Sequence, residues 1–162
     1  MRPAIRRHES QRMGVLARTS IGNAMSSNPF AGWPEGVEAG LASGRMNGCV
    51  GTLLLSETPK VRVWHLHIPA GKRFGFHRHV LNYFWTSLGD GRSRNYFEDG
   101  RISEAVLYKG QTQHYEFPLG KYMLHSVENI GDTDVSFTTV EFLDSPNQAL
   151  PIPDGMRMKI PA

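Results

Sequence analysis

Three histidines occupy positions where histidine needs a reason. His77 and His79 lie two apart in GKRFGFHRHVLNYFW, residues 71–85, among Phe74, Phe76, Leu81, Tyr83, Phe84 and Trp85. A segment this apolar is expected to be mostly buried, and imidazoles seldom enter an apolar interior without a partner. On a strand, residues i and i+2 project from one face, about 6–7 Å apart along the backbone. Two imidazoles so placed can share one metal ion, and such a site usually needs a further ligand from a neighbouring strand. His125, in KYMLHSVENIG, shares its face with Met123 and Val127 and is the candidate third ligand. The competing reading is a set of satisfied core histidines, and spacing alone leaves both open.

Other residues could serve such a centre. His114, in QTQHYEF, is a candidate fourth ligand or general acid/base at a pocket mouth, against the reading of a surface histidine on a turn. Tyr83 could supply a phenol beside a Lewis-acidic ion, against the reading of a core-filling tyrosine. His65 and His67 share a face with Val61 and Val63 and are candidates to line the interior, to pair with outer-shell carbonyls, or to extend the ligand set. Arg73 is a candidate to recruit an anionic substrate at the rim.

The elements that would position these side chains read as strands. CVGTLLLSETPKVRVWHLHIPAG gives two, joined around Ser56 to Lys60. FGFHRHVLNYFWTS reads as the next, closed by Gly89-Asp90-Gly91, an Asp-Gly hairpin signal. A second Asp-Gly turn stands at Asp99-Gly100, and two further strands flank Gly131-Asp132. In DVSFTTVEF, Val135, Phe137, Thr139 and Glu141 alternate with Ser136, Thr138, Val140 and Phe142. Short strands with turn signals about every ten residues indicate an all-β, antiparallel sandwich or barrel. No stretch after residue 50 has a helical period.

Composition bounds the rest. The 162 residues suffice for one domain with a core, and 40% apolar with 20% charged residues excludes wholesale disorder. No apolar run approaches the roughly 18 residues of a membrane span. Cys49 is the single cysteine, so an internal disulfide and Cys-rich zinc sites are excluded and a cytoplasmic setting is expected. Residues 1–25 hold five arginines against Glu9, +4 of a net +3, so the remainder sums to −1 and carries no nucleic-acid signature. The expected divisions are an Arg-rich arm and irregular lead-in (1–45), a β domain (46–145) and a Pro-rich tail (146–162) that wraps the outside or crosses to a neighbouring subunit. The arm is read as flexible or partner-contacting, or as an over-long start with Met13 or Met25 the true beginning.

Two motifs carry a family resemblance. Gly71, five residues, His77-Arg78-His79 and a strand ending at Gly89 or Gly91 resemble the first cupin motif. Gly110, Pro118-Leu119-Gly120, His125 and Asn129 resemble the second. The resemblance spans roughly residues 48 to 144, and the phrases WHLHIPAG…HRH and LHSVENIGD look most like the small single-domain RmlC-like cupins of the β-alanine degradation type. It implies a double-sheet jelly roll (a cupin β-barrel), a divalent metal on His77, His79 and His125, a small-molecule substrate and a homodimer. There are two departures. The Glu that normally follows the second His is absent, with Tyr83 the occupant of its inward position, and four residues rather than two separate the Pro-x-Gly from His125.

Three neutral imidazoles leave a divalent ion its full charge and about three open positions, suited to an anionic or chelating substrate with O₂ beside it. Cupins with three histidines and no Glu use Fe(II) in this way. The resemblance thus favours Fe(II) and a dioxygenase, while ligand type equally allows Zn, Ni, Mn, Co or Cu. A metal-dependent lyase or isomerase without O₂, and a non-catalytic binding or sensing module, are the alternatives.

Overall fold

A computed structural model describes residues 28–159; the Arg-rich arm, with Met13 and Met25, lies outside the described residues. The strands are β1 (Leu53–Glu57), β2 (Val61–Ile68), β3 (Arg73–His79), β4 (Tyr83–Ser87), β5 (Gly91–Phe97), β6 (Ile102–Leu107), β7 (Thr112–Tyr115), β8 (Met123–Asn129) and β9 (Val135–Phe142). They form two antiparallel sheets, ordered β1-β2-β9-β4-β7 and β3-β8-β5-β6. The architecture is the expected all-β jelly roll.

The path of the chain differs from the expected one in two places. The single strand read over residues 74–87 is two, because Val80-Leu81-Asn82 breaks it and sends β3 and β4 into different sheets. The turns at Asp90-Gly91 and Gly131-Asp132 are likewise crossings between sheets, not hairpins. The turn at Ser56 to Lys60 does close a hairpin, β1 with β2, and of the Asp-Gly signals Asp99-Gly100 does so: β5 pairs β6, and Gly100 holds a φ of 88°. A local turn signal marks where the chain reverses, but burial of the two inner faces decides which strand it pairs with next.

The barrel interior is divided by polarity. At one end Leu66, Ile68, Leu107, Val127, Val135 and Phe137 form an apolar core, with Phe74 and Trp85 packed on it. At the other end, where β3 and β9 finish and β4 and β8 begin, the buried side chains are His77, His79, His125, Tyr83 and Glu141.

Both flanks are built into the fold. The lead-in, with a 3₁₀ turn (Glu38–Gly40) and one helical turn, α1 (Leu41–Gly44), lies on the outer face of the four-stranded sheet. Trp33 and Val37 pack there with Phe76, Tyr96 and Leu124, and Trp33 Nε1 donates to the Gly100 carbonyl at 3.0 Å. Gly44 permits that approach, since a Cβ there would collide with Phe76. The tail runs back along the outside, packing Ile152 and Met156 on the cluster of Cys49, Val50, Leu54 and Trp64. Among the described residues no helix is long and apolar enough to cross a membrane.

Candidate metal centre

A β-bulge in β3 sets the phase of the site. Phe74 pairs with Val127 and His77 with His125, so two residues of β3, Gly75 and Phe76, stand against one residue of β8. Strict alternation would put Phe74 and His77 on opposite faces. The bulge lets both point inward while Phe76 points out, where its ring stacks on Trp33 at 5.6 Å. It also brings the Gly75 carbonyl within 2.9 Å of His77 Nδ1.

The three histidines meet inside the barrel. His77 faces His125 directly across the β3–β8 ladder, and all three rings are buried. Each can offer one ligand nitrogen such that all three nitrogens lie within 4.8 Å of one another. His77 Nδ1–H donates to the Gly75 carbonyl, and His125 Nδ1–H donates to Asn95 Oδ1 at 3.2 Å. Those bonds leave the two Nε2 lone pairs free and fix the rings, as outer partners do for metal-bound imidazoles. The Nε2 atoms of His79 and His125 stand 3.2 Å apart, close enough to share one proton or to ligate one cation. His79 Nδ1 is buried without a partner, an unsatisfied group of the kind that collects at functional sites.

Electrostatics suit the same group. Burial pushes the His77 pKa down to about 4, against the opposing hydrogen bond to Gly75. Burial, then the neighbouring His77 and His125, holds His79 well below the usual imidazole range; burial, then His77, does the same for His125. At neutral pH all three are uncharged, the protonation state a cation requires of its ligands. Aromatic rings surround them: Phe74 lies 4.8 Å from His77 and Phe97 5.7 Å from His125, ring centre to ring centre.

Tyr83 stands where the sequence put it, on the inner face. Its ring stacks on His79 at 4.1 Å and on Tyr115 at 4.8 Å. Burial, then Tyr115 and Glu141, raises its phenol well above the usual range, so it keeps its proton and could donate but not act as a base. His114 is not brought to the site. It pairs with Phe84 on the outer face of the five-stranded sheet and is exposed, because Tyr115 takes the inward position beside Tyr83. His65 and His67 are also outside rather than lining the interior, since the alternation of β2 turns Trp64 and Leu66 inward; His67 meets Ser136 and Asp134 there. Arg73 is exposed, with Nη1 on Ser126 Oγ at 3.3 Å.

Two residues near the site were not singled out from the sequence. Asn95 lies among arginines in an unremarkable run, and only the β5–β8 pairing carries it to His125. Glu141 left a signal, a carboxylate sharing a strand face with Val135 and Phe137. It is 2% exposed, accepts a hydrogen bond from Trp64 Nε1 at 2.8 Å and sits opposite Tyr83 across the β4–β9 ladder. The sequence around His79 offers no acid, yet β9 supplies one next to Tyr83.

Comparison with known proteins finds likeness among solved structures alone. No family model matches the chain, and no curated relative matches it. Solved structures do. A cupin domain from Bordetella pertussis is 24% identical, with a TM-score of 0.48 over 54% of this chain and 85% of that one. An RmlC-like cupin family protein with a double-stranded β-helix fold, from Methanocaldococcus jannaschii, is 18% identical, with a TM-score of 0.45 over 56% and 76%. A double-stranded β-helix domain protein from Klebsiella pneumoniae is 20% identical, with a TM-score of 0.43 over 58% and 74%. These likenesses are remote, and what the chain itself shows is an all-β, antiparallel double-sheet jelly roll. Within this barrel three buried histidines from β3 and β8 form a group that could hold a metal ion.

Proposed function

We propose that this chain is a cupin, and a mononuclear metal-dependent enzyme in which His77, His79 and His125 hold one divalent cation. Fe(II) is the favoured ion, and oxygenation of a small oxygenated or carboxylated metabolite is the favoured reaction. The observation that carries the reading is the convergence of three buried, uncharged imidazoles with ligand nitrogens within 4.8 Å. A bound cation would supply Lewis acidity and open positions for a chelating substrate and O₂.

The chain's own residues do the rest. Gly75 and Asn95 orient two of the imidazoles through their Nδ1–H groups. Phe74 and Phe97 pack beside the rings and keep water from their faces. Tyr83, stacked on His79 with its proton held, is the candidate donor to a substrate oxygen. His114 takes no part in this scheme. The reading includes a homodimer, supported by half-buried Val63, Phe84, Val140 and Phe142 on the outer face of the five-stranded sheet.

The deciding experiment is metal analysis of protein purified without added metal, repeated on His125→Ala. Retention of about one ion per chain by the parent and its loss from the variant is the expected result. Equal metal in both would sink the assignment. Oxygen uptake by the Fe(II)-loaded chain is then measured across β-diketones, thiols and 2-hydroxy acids. Turnover that persists without air would replace oxygenation with lyase or isomerase chemistry at the same ion.

A further inference from the structure

The metal-centre reading leaves an electrostatic problem. Three neutral imidazoles do nothing to offset a +2 charge inside a barrel, and an uncompensated buried charge is costly. Among the described residues Glu141 is the one buried carboxylate, and it stands at the same end of the barrel. It is not among the three side chains whose ligand atoms converge, so it is not a fourth ligand. It is one residue removed: Tyr83 is its neighbour across the β4–β9 ladder, and the Tyr83 ring lies on His79.

We propose that Glu141 is the outer counter-charge of this centre: it holds a proton while the imidazoles are free and gives that proton to solvent when a divalent cation binds. The exchange is balanced, with one cation taken up, the carboxyl O–H bond broken and one proton released per ionised Glu141. No bond forms between the carboxylate and the ion. The inference rests on the metal-centre reading above.

The groups facing Glu141 explain why it can serve both states. Trp64, from β2, donates to it in either form. Arg62, also on β2 and paired with Glu141 in register, is drawn away by Glu57 Oε2 at 2.9 Å and by the Leu150 carbonyl, so it does not neutralise the carboxylate fully. Tyr83 from β4, Tyr115 beyond it on β7, and Cys49 before β1 are uncharged at neutral pH. Burial, helped by the nearby Glu57 carboxylate on β1, outweighs the Trp64 hydrogen bond and Arg62, and holds the carboxyl pKa up at about 7. A nearby cation lowers it, and by reciprocity ionised Glu141 strengthens cation binding.

The test is calorimetric titration of the full chain with Co(II), without substrate, in buffers of different ionisation enthalpy. Any proton released by the ligand histidines is common to the parent and to Glu141→Gln, so the difference between the two reads Glu141. The expected result is about half a proton released per ion at pH 7, falling towards zero at pH 8.5, where Glu141 is ionised beforehand. Glu141→Gln, which keeps an acceptor for Trp64, should bind Co(II) without that release and about tenfold more weakly at pH 8, the factor worth one unit of pKa change. Release that rises with pH comes from ion-bound water and overturns the role of Glu141. Equal release from parent and variant does the same. If the variant does not fold, the pH series on the parent still decides. Failure of Co(II) to bind the parent overturns the metal centre itself, while binding without proton release overturns the counter-charge alone.

Discussion

Asn95 shows how much a single side chain does at this centre. Its Oδ1 accepts from His125 Nδ1–H, which aims the other nitrogen inward. Asn95→Ala should raise the dissociation constant for a divalent ion by about 10- to 100-fold, read by competition with a chelator. The triad also writes itself into stability. Each imidazole is held below its ordinary pKa when folded, so the unfolded chain binds more protons once pH drops below about 6.5. Stability present above that pH is lost as pH falls towards 4, at about 1.4 kcal/mol per pH unit for each histidine. Glu141 acts with the opposite sign: its raised pKa gives a contribution that is lost as pH rises to about 7. Three histidines outweigh one carboxyl, so urea unfolding of metal-free protein should show stability falling steeply from pH 6.5 to 4. A flat profile would mean that the imidazoles are not buried uncharged.

The elements matter through their breaks as much as through their regularity. The bulge at Gly75-Phe76 is what lets one strand feed the apolar core, the outer aromatic cluster and the histidine triad in turn. The loop over residues 116–122, longer than the motif it resembles, is held by one residue of the tail. Asn147 Oδ1 accepts from Gly120 N–H at 2.7 Å, and its amide donates to carbonyls of Val80, Pro118 and Lys121 at 3.1–3.2 Å. The tail thereby pins both the β3–β4 break and the loop that leads into His125. Asn147→Ala should cost roughly 1–2 kcal/mol and speed tryptic cleavage after Lys121, with limited proteolysis as the measurement.

Across the whole molecule, the polar end of the barrel is supported from outside. Trp33 roofs Phe76 and Tyr96 on the outer face of the sheet whose inner face carries the triad. Trp33→Ala should therefore cost about 3–5 kcal/mol in urea unfolding, the usual range for emptying a large aromatic site. A chain beginning at residue 46, the boundary suggested by composition, should expose Phe76, Tyr96 and Leu124 and aggregate; a soluble, monodisperse product on size-exclusion chromatography would show that the lead-in is dispensable.

The β class, the antiparallel pairing and the histidines at 77, 79 and 125 were legible in the chain, because alternation and i, i+2 spacing act through the backbone period of a single strand. Tyr83 also faces inward, as alternation from His79 anticipated, but it does so from a different strand in the other sheet, so the placing of β4 and not the period of β3 puts it there. The outward turn of His114, the carriage of Asn95 to His125 and the arrival of Glu141 beside Tyr83 belong to pairings between strands distant in sequence. So does the failure of two turn signals to make hairpins, since local chemistry bends the chain but does not choose its next neighbour. Which acid comes to lie beside Tyr83 was decided only when two sheets closed over a shared interior, for burial is a property of the assembled barrel and not of any one segment.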